Sequence, residues 1–152
     1  MAHDGGPQVV IHTLRRQECV TVLARNTVGR LAFTVHGRVD IQPLLYAYEA
    51  GWIYGRTSAG AKLDALARDQ WVAFEVDEVR GTFDWASVVV HGSFHRLDDD
   101  GDLRDVAARA HAVTLLRAAV PETLTAADPV PFRTVFFRIA VGSLSGRLAA
   151  PA

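Results

Sequence analysis

Ile53-Tyr54-Gly55-Arg56-Thr57-Ser58-Ala59-Gly60-Ala61-Lys62 is the stretch of this chain that says most about its fold. Ile53 and Tyr54 read as strand, Ser58 as a helix N-cap, and residues 61–68 as a helix. A helix N-terminus presents unpaired N–H donors and about half a positive charge. Cations there are unfavourable by about 0.3–1 kcal/mol each. Yet Arg56 precedes the cap, Lys62 lies in the first turn, and no carboxylate follows before Asp64. Two cations, two hydroxyls and free amides at one point suggest a bound anion, with phosphate the best match. The alternative is structural: Lys62 snorkels into solvent, Ser58 only caps, and Gly60 has no special role. A Walker loop is excluded, because its Gly-x-x-x-x-Gly-Lys-Ser/Thr pattern is missing.

Composition limits what surrounds this stretch. The 152 residues are 49% hydrophobic and 22% charged, with a net charge of −1. That is the balance of one soluble domain with a sizeable core. It gives no general attraction to nucleic acid or membrane. No apolar run approaches the roughly 18–20 residues of a membrane span. The single cysteine, Cys19, excludes an intrachain disulfide and a thiolate zinc cluster, and fits a reducing compartment. Its helical neighbours Val20, Leu23 and Ala24 mark it as a buried, inert thiol. Residues 1–8 are polar and glycine-bearing, without a signal-peptide core. Residues 1–12 are therefore expected to form a flexible tail, 13–149 the domain, and the location is expected to be cytoplasmic.

Periodicity supplies the other elements. Thr13 caps an expected helix over 14–26. Residues 30–35 alternate apolar and polar, His36-Gly37 signals a turn, and 39–48 continue as a long strand, together a β-hairpin. Glu49-Ala50-Gly51 turns the chain into the strand 52–55. After the 61–68 helix, the pattern predicts a strand over 71–76, a polar loop over 77–82 and a long strand over 85–97. Asp98-Asp99-Asp100-Gly101 is a charged turn, lacking the ligand spacing of a calcium loop. A helix over 102–118 stops at Pro121, and strands over 134–141 and 144–148 close the chain. The result is mainly β (α+β), with six or seven antiparallel strands and three helices. Several strands are apolar on both faces, as where Leu44 and Tyr46 oppose Ile41, Pro43 and Leu45. Such a sheet needs a second cover, and closing into a small barrel provides one and removes open edges.

This order of elements resembles the FMN-binding split β-barrel family, which includes pyridoxamine 5′-phosphate oxidase. The likeness covers residues 14–147. It rests on Val28-Gly29-Arg30-Leu31-Ala32-Phe33, on Ser58 through Leu66, and on Trp85-Ala86-Ser87-Val88-Val89-Val90-His91-Gly92. It is nearest to the short group that also holds nitroimidazole-resistance proteins. The resemblance implies a homodimer with FMN in a groove between two barrels. It implies that Arg56, Thr57, Ser58 and Lys62 hold the phosphate, and that the isoalloxazine edge runs along Ile41, Gln42, Pro43 and Leu44. It further implies that Trp85 and His91 of a partner subunit cover the ring; a donor or cation near the N1–C2=O edge would stabilise reduced flavin, and Arg38 and Gln42 are the candidates for it. The implied activity is two-electron transfer from NAD(P)H or an organic substrate to a small molecule. Two departures stand out. Gly60-Ala61 precedes Lys62 where the oxidase has an Arg-Lys pair, and the oxidase's C-terminal Arg and His stretch is absent, so vitamin B6 oxidation is not implied. Arg56 stands where the nitroimidazole branch carries histidine.

His91 and His95 share a strand side but lie about 13 Å apart, too far for one metal. Tyr46 and Tyr48 are expected at an interface. No Ser-His-Asp or paired-carboxylate set has usable spacing, which fits chemistry carried by a cofactor. A non-catalytic flavin carrier or sensor, a barrel holding deazaflavin or haem (with His91 as axial ligand), and an empty scaffold remain the alternatives.

Overall fold

The computed structural model describes residues 5, 6 and 8–152. In chain order the elements are β1 (Val9–Thr13), α1 (Arg16–Arg25), β2 (Val28–Val35), β3 (Arg38–Glu49) and β4 (Trp52–Thr57). They continue with α2 (Ala61–Arg68), β5 (Trp71–Gly81), β6 (Asp84–Leu97), α3 (Leu103–Ala119) and β7 (Val135–Pro151). Every pairing is antiparallel. The strand order is β1-β7-β4-β3-β2-β5-β6, and a further β7–β6 pairing closes the barrel.

β7 makes the closure possible. One of its edges bonds β6 from Phe136 to Ala149. The other bonds β4 over Val135 to Ala140 and β1 over Arg147 to Pro151. Between those two partners Gly146 O accepts the Leu14 N–H at 2.8 Å, so the chain leading into α1 fills part of the gap.

Alternation along the strands sorts the side chains. Leu31, Phe33, Leu44, Ile53, Phe74, Val76, Val88, Val90, Phe137 and Ile139 point inward and are buried. α1 adds Cys19, Val22 and Leu23 to that core, and α2 adds Leu63 and Leu66. α3 packs outside the barrel, laying Ala108, Ala112, Val113 and Leu116 on Tyr54, Leu97 and Phe136. The hairpin turns are of the expected kind. His36 (φ 50°) with Gly37 (φ 73°), and Ala50 (φ 49°) with Gly51 (φ 85°), both carry the left-handed pairs that match strand twist.

Four expectations are corrected. The flexible tail does not reach residue 12, because Val9–Thr13 is a strand satisfying the outer edge of β7; residues 1–4 and 7 lie outside the described residues. Residues 77–81 are not a loop but the end of β5, paired with β6 through a bulge near Gly81. Polar residues suit this end of β5 because it is a sheet edge where Glu78 pairs with Arg25 and Arg80 with Asp84. The two closing strands are one, with an irregularity opposite His91 and Gly92. Tyr46 is core, not interface: its hydroxyl donates to Leu23 O at 2.7 Å and its ring meets Phe74 edge-on at 5.1 Å. Tyr48 packs half-buried against the same core. The Cys19 thiol is buried, as expected, and burial raises its pKa.

At Gly92 of β6 the β7 backbone leaves no room for a side chain. A Cβ there would stand 2.0 Å from Ala140 O, a backbone atom with no room to yield. Gly92→Ala is expected to cost at least about 2 kcal/mol of stability, read from chemical denaturation.

Candidate functional site

The helix start that opened the sequence reading is built differently from its expectation. α2 is capped at Gly60, not Ser58, and no side chain caps it. Gly60 holds φ 154° and ψ −167°, a region closed to side chains, which explains a glycine at this position. The Gly60 carbonyl then accepts from Leu63 N and Asp64 N, at 3.1 and 3.3 Å. Ser58 is half-buried and Thr57 fully buried, opposite Val135 in the β7 register.

Lys62 does not snorkel outward. Its Nζ donates to Gln42 Oε1 at 2.8 Å and lies 5.7 Å from the centre of the Phe33 ring. Burial lowers its pKa, and the positive charge of Arg133 lowers it further, against a smaller opposing pull from Asp40. Among the described residues no carboxylate stands within 4.0 Å of Lys62 or Arg133. Two cations near one another with no carboxylate at hand among the described residues are a candidate anion site. Arg133 was not found by sequence reading, because 71 positions separate it from Lys62 and nothing local marks it.

Arg56, expected as a phosphate ligand, is framework instead. It is 5% exposed and forms a two-pronged ion pair with Asp128, Nη1–Oδ2 2.8 Å, with a further bond from Nη2 to Val130 O at 3.2 Å. Asp128 also accepts from Leu124 N and Val130 N. The Arg56 guanidinium, helped by those two amides, holds the Asp128 carboxyl well below the usual carboxylate range. The pair ties the loop after α3 to β4, and Arg133 follows five positions on from Asp128.

The four residues expected along the flavin ring divide between two faces, since strand side chains alternate. Gln42 and Leu44 point inward, Gln42 to Lys62 and Leu44 into the core. Ile41 and Pro43 point outward and are exposed. Arg38, at the start of β3, is exposed in a shallow pocket with His36, Val39 and Asp40. On the outer face the registers align Ile41, Ala32, Ala73, His91 and Ser143 in one row across β3, β2, β5, β6 and β7. Beside the row lies a mostly apolar groove of about 540 Å³, lined by Phe33, Val39, Trp71 and His91 among others. Val39 is 80% exposed, Trp71 68% and Ile41 58%. Trp85 shares this face but sits six residues from His91, about 20 Å along the strand, in a separate pocket with Ser87 and Arg147.

The next row carries charge. Arg30 reaches Glu75 at 3.4 Å and Asp77 at 3.5 Å, and the Ser87 hydroxyl donates to Glu75 at 2.9 Å. Burial raises the Glu75 pKa, the Asp77 charge adds to it, and Ser87 opposes. His95 is engaged by Ser93 at 2.8 Å, and no metal-ligand cluster exists among the described residues. No helix among them is long and apolar enough to cross a membrane.

The fold is thus the split β-barrel. The profile of the pyridoxamine 5′-phosphate oxidase family matches residues 15–148, and the chain belongs to that family. It is 33% identical to a FAD-binding protein from Mesorhizobium loti, whose crystal structure it matches with a TM-score of 0.75 over 93% of this chain and 99% of that one. It shares the fold of the FAD binding protein from Mycobacterium smegmatis, at 24% identity and a TM-score of 0.64 over 91% and 98% of the two chains. An uncharacterized protein of Rhizobium meliloti (strain 1021) is 25% identical over 91% of this chain and 95% of that one.

A group with a depressed folded pKa contributes stability above its unfolded pKa and loses it as pH falls through the folded value. For Asp128, whose ordinary value is 3.8, the stabilising charge is complete above about pH 4. Asp128→Asn is expected to lower Tm at pH 7, because it strands the Arg56 charge. It should also flatten the fall of Tm below pH 4. Equal acid sensitivity of both proteins in calorimetry would refute that role.

Proposed function

We propose that this protein is a flavin-dependent oxidoreductase acting as a homodimer on a small molecule, with NAD(P)H or an organic substrate as electron donor. The observation that carries the proposal is the Lys62–Gln42 bond beside Arg133. It supplies two cations without a carboxylate partner, together with a carboxamide, at the start of α2. These residues fit the phosphate of a flavin nucleotide. Lys62 and Arg133 would hold it, with Gly60 keeping the backbone free of side chain at the cap. Arg56 serves that site indirectly, by fixing the loop that carries Arg133.

The outer row from Ile41 to His91 and the apolar groove beside it fit a flat ring. The small side chains of Ala32 and Ala73 let a planar group approach the sheet. His91, next to last in the row, presents an exposed imidazole to the same face. The exposed Val39, Ile41 and Trp71 support a second copy of the chain as the cover of this face. A bound flavin would supply two-electron transfer there, while the protein orients it and excludes water. FMN is what the family resemblance implies. The 33% identical relative, named as FAD-binding, favours the dinucleotide. Cys19, a single buried thiol, fits a reducing, cytoplasmic location.

Three measurements test this. Chromatography of the cofactor released by heat separates FAD from FMN, and the absorption spectrum of the purified protein separates flavin from haem or deazaflavin. Lys62→Glu is expected to weaken flavin binding more than tenfold, above about 1.4 kcal/mol, and Arg133→Gln by several-fold, with the fold retained. Unchanged affinity for Lys62→Glu by fluorescence quenching overturns the assignment. Because the Lys62 pKa is lowered, flavin affinity should also fall as pH rises, before the 10.5 of an ordinary lysine is reached.

A further inference from the structure

Arg138 on β7 has a setting unlike that of the other arginines. The registers place it between Tyr54 of β4 and His95 of β6, next to a row formed by Trp52, Ala140 and Ser93. Its guanidinium lies 3.7 Å from the centre of the Trp52 ring. Trp52 in turn meets the His95 ring edge-on at 6.1 Å, and His95 Nε2 is 2.8 Å from Ser93 Oγ.

What this cation lacks is an acceptor. Its Nε is buried with no hydrogen-bond partner, the one side-chain atom of that kind among the described residues. Arg25, Arg30, Arg56, Arg80 and Arg96 each have a carboxylate partner. Arg138 has none within 4.0 Å among the described residues. The acid opposite Trp52 in the register, Glu49, lies within 3.2 Å of the His111 ring instead. A guanidinium held by stacking alone, with Nε buried, leaves its two Nη groups as the donors that can meet an oxyanion.

We propose that Arg138, with His95 and Ser93 beside it and Trp52 as its platform, forms a binding site for the carboxylate of a small molecule. Charge selects a carboxylate over a phosphate dianion, because Arg138 is the only fixed charge without a partner in this cluster and Arg96 is engaged by Asp98. The site is not the nucleotide phosphate site. Trp52 and Thr57 are the two ends of β4, about 17 Å apart, and Lys62 lies beyond the Thr57 end. The placement fits a ligand distinct from the flavin.

Trp52 reports on the site. In the purified protein carrying Trp71→Phe and Trp85→Phe it is the sole tryptophan left of three. Sodium acetate, titrated against sodium chloride at equal ionic strength, is expected to change its fluorescence saturably in the millimolar range. Arg138→Gln should weaken that response at least about tenfold, Arg138→Lys should weaken it less, and Lys62→Glu should leave it intact. The same acetate-specific response is expected in the wild-type Tm, so misfolding of the double variant does not remove the test. A response identical in chloride, one retained in Arg138→Gln, or one stronger with phosphate than with acetate overturns the proposal. A response lost in Lys62→Glu instead does so too. Flavin plays no part in the readout, so failure here leaves the flavin assignment standing, and the reverse.

Discussion

The structure depends on one strand having two sets of neighbours. β7 gives one edge to β6 and divides the other between β4 and β1. A strand edge is a row of unsatisfied donors and acceptors, and an open edge is both costly and adhesive. Closing the barrel through β7 satisfies those rows and fixes the register of every strand relative to the others. The outer rows that carry Ile41 to His91 and Tyr54 to His95 exist only because of that registration. Gly92 is the toll of the closure: β6 and β7 come so near that no side chain fits between them.

Within this frame, buried charge decides which cations are available to ligands. Arg56 is almost wholly buried, and a buried guanidinium must be paired. Asp128 supplies the pair and is itself held by two backbone amides. The chain therefore uses Arg56 to anchor the loop after α3, while Lys62 and Arg133 have no carboxylate within 4.0 Å among the described residues. Burial first, and then the nearby charge of Arg133, lower the pKa of Lys62. An anion between the two cations would offset that cost, which is the physical basis of the proposed phosphate site.

The same reasoning distinguishes the two ends of β4. At the Thr57 end, charges gather where a helix begins and the sequence bends away from the sheet. At the Trp52 end, an arginine rests on an indole with its hydrogen-bonding capacity unused. Between them α3 covers the outer face with apolar residues, leaving the two polar regions separate.

Much of this was legible in the chain itself. Alternation and turn residues gave the hairpins, the three helices and the closed, mainly β class, because side-chain period and turn stereochemistry act over a few residues. The place of Lys62 in the first turn of α2 was within reach too, since a strand-to-helix junction is a local feature. Three things were not. Ser58 looked like the cap, but the backbone path put that duty on Gly60. Ile41 to Leu44 looked like one ligand edge, but pleating sends Gln42 and Leu44 to one face and Ile41 and Pro43 to the other. Arg56 looked free, but its partner lies 72 positions away. Local sequence determines which segments are strand or helix because neighbouring residues set the backbone's options. Which charges meet, which stay unpaired and which rows line up is decided only when distant segments close on one another, since Coulomb attraction and burial depend on distance in space and not along the chain.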